Sequence, residues 1–208
     1  MFLKKRNDKA GPLVAEAMNK RGFEAYYVST AEEAKAKALE LIPEGSVVSW
    51  GGSATVDQIG LKEEVLNKFS VINRDAAKSP EERMELMRQA LTSDVFLMSA
   101  NAITEDGELV NIDGNGNRVA ALCFGPKEVI VVAGMNKVVK SLEDAWDRAR
   151  NYAAPVNAQR FDLPNPCGKN GQCANCKSPS CICTHLVVTR MGKNGRIKVI
   201  LVGEELGF

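Results

Sequence analysis

Five of the six cysteines fall in one short stretch, Cys167-x5-Cys173-x2-Cys176-x4-Cys181-x-Cys183. Thiolates at that density are ligands for zinc or for an iron–sulfur cluster. The Cys173-x2-Cys176 pair puts two of them on one tight turn, the bite such an ion takes. Pro164, Pro166, Gly168, Gly171 and Pro179 interleave with the cysteines and exclude a long helix, so a bound ion is expected to shape the loop. There is one Cys-x2-Cys knuckle, not the pair of a zinc ribbon. Cys181 and Cys183 alternate along what reads as an extended segment, so one of the two is expected to join Cys167, Cys173 and Cys176. His185, the only histidine, is either a substitute ligand or a strand residue. A redox-active thiol pair and an unligated cysteine-rich loop are the competing readings. Cys123, alone in Val-Ala-Ala-Leu-Cys-Phe-Gly, reads as a small buried apolar residue.

Two further loops carry chemistry. Gly51-Gly52-Ser53 follows a short apolar strand and opens a helix, so its backbone N–H groups and the hydroxyls of Ser53 and Thr55 suit an anion. The same residues also make an ordinary tight turn with a helix cap, and they match neither a P-loop nor a dinucleotide fingerprint. Asn111-Ile-Asp113-Gly114-Asn-Gly-Asn117-Arg118 is dense in residues that tolerate left-handed backbone, and Arg118 adds a bidentate fork for carboxylate or phosphate. The competing reading is a glycine-rich turn whose arginine pairs with a surface acid. Asn101, Thr104 and Glu105 complete the expected rim.

Strands and helices alternate around these loops. Asp8 to Lys20 reads as a helix interrupted early by Gly11-Pro12, and Phe23 to Val28 as a strand. Thr30-x2-Glu33 is a capping box that starts the next helix, which Pro43-Glu44-Gly45 ends. Ser46 to Trp50 reads as a buried strand, followed by a helix over Ala54 to Ile59. Ser79-Pro80-Glu81-Glu82 caps a helix with apolar Met84, Met87 and Leu91. Strands follow at Val95 to Ser99 and Glu108 to Ile112, as a hairpin-like pair or flanking a crossover. Then come a short helix over Asn117 to Phe124, the strongly apolar strand Glu128 to Ala133, and a helix capped by Ser141-x2-Asp144 running to about Tyr152. Leu186 to Thr189 and Arg196 to Val202 bracket Gly192-Lys-Asn-Gly195, which predicts a terminal β-hairpin. The fold class is therefore α/β: a largely parallel sheet flanked by helices, with a C-terminal cysteine-rich loop and hairpin. Residues 1–152 form the α/β domain, and 153–208 pack on it. Such sheets bind ligands beyond the carboxyl ends of their strands, so Arg118 and Asp113 should face the same pocket as Gly51-Gly52-Ser53.

Composition narrows the function. The 208 residues are 45% hydrophobic and 25% charged, with 27 Lys and Arg against 26 Asp and Glu, so no basic field recruits nucleic acid. The opening Met-Phe-Leu-Lys-Lys-Arg has no secretory pattern and no run approaches the roughly 18 apolar residues of a membrane span, which predicts a cytoplasmic protein with reduced thiols.

Trp50-Gly-Gly-Ser-Ala-Thr55, the run from Ser99 to Ala121, and Gly125-Pro-Lys-Glu-Val-Ile-Val-Val-Ala-Gly-Met-Asn-Lys137 together resemble the lactate-utilization (LUD) domain family over nearly the whole chain. The ending Pro166-Cys167 through Cys183 resembles its short stand-alone members with a cysteine-rich C-terminal segment. That resemblance implies Cys167, Cys173, Cys176 and Cys183 as the four ligands, with Cys181 an extra, and zinc or an iron–sulfur cluster as cofactor. It implies a fold similar to the ribose-5-phosphate isomerase and CoA-transferase group, with a phosphate- or CoA-type pocket near Gly51, Gly52 and Ser53. Some relatives act in systems that oxidise lactate to pyruvate. The larger ones carry iron–sulfur modules that this sequence lacks. Three classes follow. One is a component of an oxidoreductase system for lactate or a similar small carboxylate, with Arg118 holding the carboxylate. Another is a sugar-phosphate or acyl-CoA enzyme with Asp113 or Glu105 as acid/base. The last is a ligand-binding regulatory module with structural zinc. Expected partners are a small anionic ligand of carboxylate, phosphate or CoA type, and a further copy of the chain or an iron–sulfur partner protein.

Overall fold

The computed structural model describes residues 2–208. Its centre is a six-stranded sheet whose strands all pair in parallel: β1 (Glu24–Val28), β2 (Val47–Trp50), β3 (Ser70–Val71), β4 (Val95–Met98), β7 (Glu128–Gly134) and β10 (Ile197–Val202), in the spatial order β1-β10-β7-β4-β2-β3. A four-stranded sheet lies beside it, with β5 (Ala102–Thr104), β6 (Leu109–Asp113), β8 (Val138–Val139) and β9 (His185–Thr189) in the order β8-β5-β6-β9. The helices are α1 (Phe2–Lys20), α2 (Ala31–Glu40), α3 (Ala54–Gln58), α4 (Leu61–Lys68), α5 (Pro80–Gln89), α6 (Asn117–Cys123), α7 (Leu142–Asp147), α8 (Ala154–Ala158) and α9 (Pro166–Asn170).

Strand alternation splits the core into two layers. From β7, Val129, Val131 and Ala133 join one apolar cluster with Val14, Ala15 and Met18 of α1 and Ala121 and Leu122 of α6. Ile130 and Val132 point the other way, into Ala34 and Ala38 of α2, Val56 of α3 and Leu61 and Val65 of α4. Successive side chains of a strand face opposite sides, so a strand covered on both faces must be apolar throughout, as β7 and β10 nearly are.

Several expectations need correction. The terminal strands do not form a hairpin: β9 pairs antiparallel with β6, whereas β10 lies between β1 and β7. The turn is there, with Asn194 and Gly195 at positive φ, but apolar β10 is sheathed on both faces and half-exposed β9 is an edge strand. The hairpin in the middle of the chain joins β6 to β5, not to β4, and so founds the second sheet. Helix α1 is not broken at Gly11-Pro12. Gly11 has no side chain, so the Tyr27 ring packs directly on the helix there, and burial of Val14, Ala15 and Met18 holds the turn where Pro12 has no N–H to donate. After α7 the chain widens into a π-helical turn at Arg148–Ala153, ahead of Pro155, which lacks an N–H for the preceding turn. No helix among the described residues is long and apolar enough to cross a membrane.

Candidate functional site

A crevice of about 440 Å³ opens where β2, β3, β4 and β7 end. That volume is within the ordinary range for small-molecule sites, about 300–1,000 Å³. Gly51, Gly52 and Ser53 line it from the end of β2, and Asn101, Asp113, Gly114, Asn117 and Arg118 from the second sheet and α6. Glycine and arginine loops roughly sixty residues apart thus meet across one opening, as strand ends of a parallel sheet allow. Thr55 stands one layer behind, buried against Lys137. Thr104 and Glu105 are not among the lining residues. The Thr104 hydroxyl accepts the Glu108 N–H at 2.9 Å, and Glu105 pairs with Lys140 at 2.7 Å.

Arg118 lies in the crevice wall, but its donors are taken by the protein. Nη1 donates to Ser99 O (2.9 Å) and Asn111 Oδ1 (2.5 Å), and Nη2 to Asn101 Oδ1 (3.0 Å) and Ile112 O (2.6 Å). Nε lies 3.5 Å from Asp113 Oδ2, and the side chain is 13% exposed. Four of the five guanidinium donors are thereby hydrogen-bonded and the fifth faces the Asp113 carboxylate, so the arginine ties the end of β4 to β6. Asp113 is equally occupied, accepting the Gly116 and Val119 N–H groups at 3.0 and 3.3 Å to cap α6. Ser53 caps α3 through the Val56 N–H at 3.2 Å.

The cations with donors to spare are ones that the loop motifs did not single out. Arg74, in the 3-10 turn after β3, is only 8% exposed, and its Nε has no hydrogen-bond partner among the described residues. The nearest carboxylate oxygen, Asp75 Oδ1, is 3.7 Å away, beyond hydrogen-bond reach. Asp75 serves other groups instead: the Trp50 indole N–H (2.9 Å), Arg83 (3.2 Å) and Lys62 (3.4 Å). Burial pushes the Asp75 carboxyl up, but Trp50, Arg74 and Lys62 outweigh it and hold it below the usual range. Gly52 lets Arg74 in, since a Cβ there would meet Nη2 at 2.8 Å.

Lys137 is 3% exposed and follows β7 directly. Its Nζ contacts Thr55 Oγ1 and Ser99 Oγ, each at 2.9 Å. Burial, then Arg148 and Arg118, pull its pKa down to about 7. Six cations (Lys62, Arg74, Arg83, Arg118, Lys137 and Arg160) line the crevice against three aspartates, Asp57, Asp75 and Asp113. Lys62, Arg83 and Arg118 have carboxylates within 3.5 Å, Arg74 has Asp75 at 3.7 Å, and Arg160 has no carboxylate partner among the described residues. The strand-end rule that picked out Gly51-Gly52-Ser53 applies equally to the ends of β3 and β7, so it would have pointed to Arg74 and Lys137.

All five clustered cysteines line a second hollow of about 150 Å³, with His185 and Asn175. Asn175 takes φ 50° inside the Cys173-x2-Cys176 turn. The Cys183 thiol is pushed up to about 12, first by burial and then by the neighbouring thiols of Cys181, Cys173 and Cys167. The segment around Cys181 is irregular rather than extended, so the expected alternation does not separate Cys181 from Cys183 and both reach the hollow. Polar staples shape the loop: Asn165 Nδ2 donates to Ser180 O (2.8 Å) and Gln159 Nε2 to Cys167 O (2.8 Å). The thiol set suits zinc or an iron–sulfur cluster chemically. As the thiols stand, no group of three or more His, Cys, Asp or Glu side chains among the described residues is gathered closely enough to hold a metal ion. Cys123 is exposed, contrary to expectation, because α6 buries Val119, Ala121 and Leu122 and turns Cys123 outward.

The profile of the LUD domain matches residues 12–202, and the chain belongs to the LUD domain family. A DUF162 family protein from Deinococcus radiodurans, at 1.70 Å resolution, superposes with a TM-score of 0.55 at 16% identity, covering 94% of this chain and 98% of that one. This likeness is one of fold. Ribose 5-phosphate isomerase A from Neisseria gonorrhoeae aligns over 84% of this chain and 92% of its own at 14% identity and a TM-score of 0.39. The enzyme from Methanocaldococcus jannaschii aligns over 54% of each chain at 22% identity and 0.35. A search of curated protein sequences finds no match.

Proposed function

We propose that the crevice binds a small anionic metabolite, and that the protein serves an oxidoreductase system for lactate or a similar small carboxylate. The observation that carries the reading is Arg74, a guanidinium in the crevice wall whose buried Nε lacks a hydrogen-bond partner and whose Nη2 lies beside Gly52. Burying a charge without partners is costly, and an anion seated there would supply them. Arg160 adds positive charge, and Gly52 leaves room for the Arg74 guanidinium to approach the turn. Family membership supports the lactate connection, and a reducing cytoplasmic setting fits the free thiols.

The cysteine hollow is the proposed place for zinc or an iron–sulfur cluster, held by Cys167, Cys173, Cys176 and Cys183 or Cys181 once the loop draws them together. Such a group would supply fold support if zinc, or an electron relay to an iron–sulfur partner if a cluster. A sugar phosphate or acyl-CoA ligand is the second reading, favoured by a volume of about 440 Å³, which exceeds what a three-carbon acid fills.

Titration calorimetry with lactate, inorganic phosphate and CoA tests the first claim. Binding of at least one is expected, with Arg74→Ala weakening it about tenfold or more, the scale of one charge-assisted hydrogen bond. Unchanged affinity in Arg74→Ala would move the anion elsewhere.

A further inference from the structure

Lys137 has features that anion binding does not require. A lysine that merely attracts an anion works best protonated and near solvent, whereas this one is 3% exposed with no carboxylate within salt-bridge distance among the described residues. The charged groups acting on it are Arg148, from the π-helical turn, and Arg118, from α6, both of its own sign. Together with burial they favour the free amine, with a pKa of about 7.

Two hydroxyls surround Nζ. The Thr55 hydroxyl donates to Leu206 O (3.4 Å), and that of Ser99 leans toward Ala100 O (3.5 Å). Both oxygens therefore accept from Nζ at 2.9 Å, which uses the two N–H bonds of the neutral amine. These two contacts leave the nitrogen lone pair without a protein donor among the described residues, and Lys137 lines the same opening as Arg74. A neutral lysine with a free lone pair beside an anion site is a nucleophile for a carbonyl carbon.

We propose that Lys137 captures a small oxo-compound carrying an anionic group, a 2-oxo acid or an open-chain sugar phosphate, as an imine. Nζ adds to the carbonyl carbon, forming the C–N bond while the C=O π pair moves to oxygen. One amine proton passes to that oxygen, relayed by the Ser99 or Thr55 hydroxyl. A second proton leaves nitrogen, again to oxygen, as the C–O bond breaks; water departs and C=N remains. No oxidant or reductant takes part. The step rests on the anion site proposed above, because Arg74 would orient the substrate's charged group.

The test is reductive trapping. The full-length protein is incubated with pyruvate in one arm and ribose 5-phosphate in another, each with sodium cyanoborohydride, and adducts are located by peptide mass mapping. The adduct is expected on the peptide holding Lys137 with at least one of the two carbonyl compounds, many-fold faster than on exposed Lys127 and Lys140, and whichever arm labels identifies the source. Lys137→Met, checked for cooperative unfolding, should lose it. Mapping on the unsubstituted protein decides the matter by itself if that variant does not fold. Labelling spread evenly over surface lysines, or none at Lys137 in either arm, overturns imine capture. Titration with lactate and inorganic phosphate, which offer no aldehyde or ketone, separates the two claims. Binding there without an adduct removes the imine and keeps the anion site, and no anion binding at all removes both.

Discussion

Arg74 and Arg118 share one crevice and do opposite work. Each is a buried guanidinium, and each must offset the loss of hydration. Arg118 does so with four protein acceptors and the Asp113 carboxylate at 3.5 Å, so its worth lies in holding β4 to β6. Arg118→Lys keeps the charge but cannot reach four acceptors in one plane. We expect a loss of about 2–4 kcal/mol, read as a fall in melting temperature of roughly 5–15 °C. An unchanged melting temperature would restore Arg118 to the role of ligand clamp. Arg74→Met removes a buried charge that has no hydrogen bond at Nε and only a 3.7 Å contact with Asp75, so it should raise the melting temperature while lowering anion affinity, the trade expected of a functional residue. Lys137 adds a pH signature. Its folded pKa of about 7 lies below the ordinary lysine value, so above pH 7 the unfolded chain holds a proton that the folded one has released. Stability should then rise with pH from about 7 toward 9, by up to about 1.4 kcal/mol per unit. Urea titrations at pH 7 and 9 should show this rise in the unsubstituted protein and a smaller one in Lys137→Met.

At the scale of elements, the site is a set of strand ends. β2, β3, β4 and β7 deliver Gly52, Arg74, Ser99 and Lys137 to one edge because all four run in parallel. Gly52→Ala tests the fit between two of these ends: a methyl 2.8 Å from Arg74 Nη2 would displace a flexible tip rather than backbone. The fold should remain cooperative and anion affinity should fall several-fold, both measurable on one sample. Much of this frame is legible from local signals. The capping box at Thr30, the cap at Ser79 and the apolar run of β7 each place an element within a residue or two, because caps and continuous apolar strands are local. The partners of β9 and β10 are not, since a turn such as Asn194-Gly195 reverses the chain without saying which sheet each arm enters. Nor does a motif reveal which arginine is satisfied. Arg118 sits in a conspicuous loop and Arg74 in a plain one, and only the count of acceptors around each separates structural support from a free donor.

At the scale of the molecule, the two hollows stand back to back. Ile112 and Ile182 line both, and Ile182 lies between Cys181 and Cys183 with its Cα 3.3 Å from where a Gly114 Cβ would be. Drawing the thiols onto an ion would therefore shift one wall of the crevice proposed to bind the anion. We expect anaerobically purified protein to hold zinc or iron, the Cys173→Ser/Cys176→Ser pair to abolish it, and anion affinity to fall several-fold in that variant. Full metal retention by the double variant would refute ligation by these thiols. The central claim is the anion site at Arg74, and a crystal structure of the protein soaked in lactate or phosphate tests it most directly. The account predicts an anion hydrogen-bonded to the Arg74 guanidinium beside Gly52, within reach of Lys137. An anion bound elsewhere, with the Arg74 guanidinium closed onto Asp75, would contradict it.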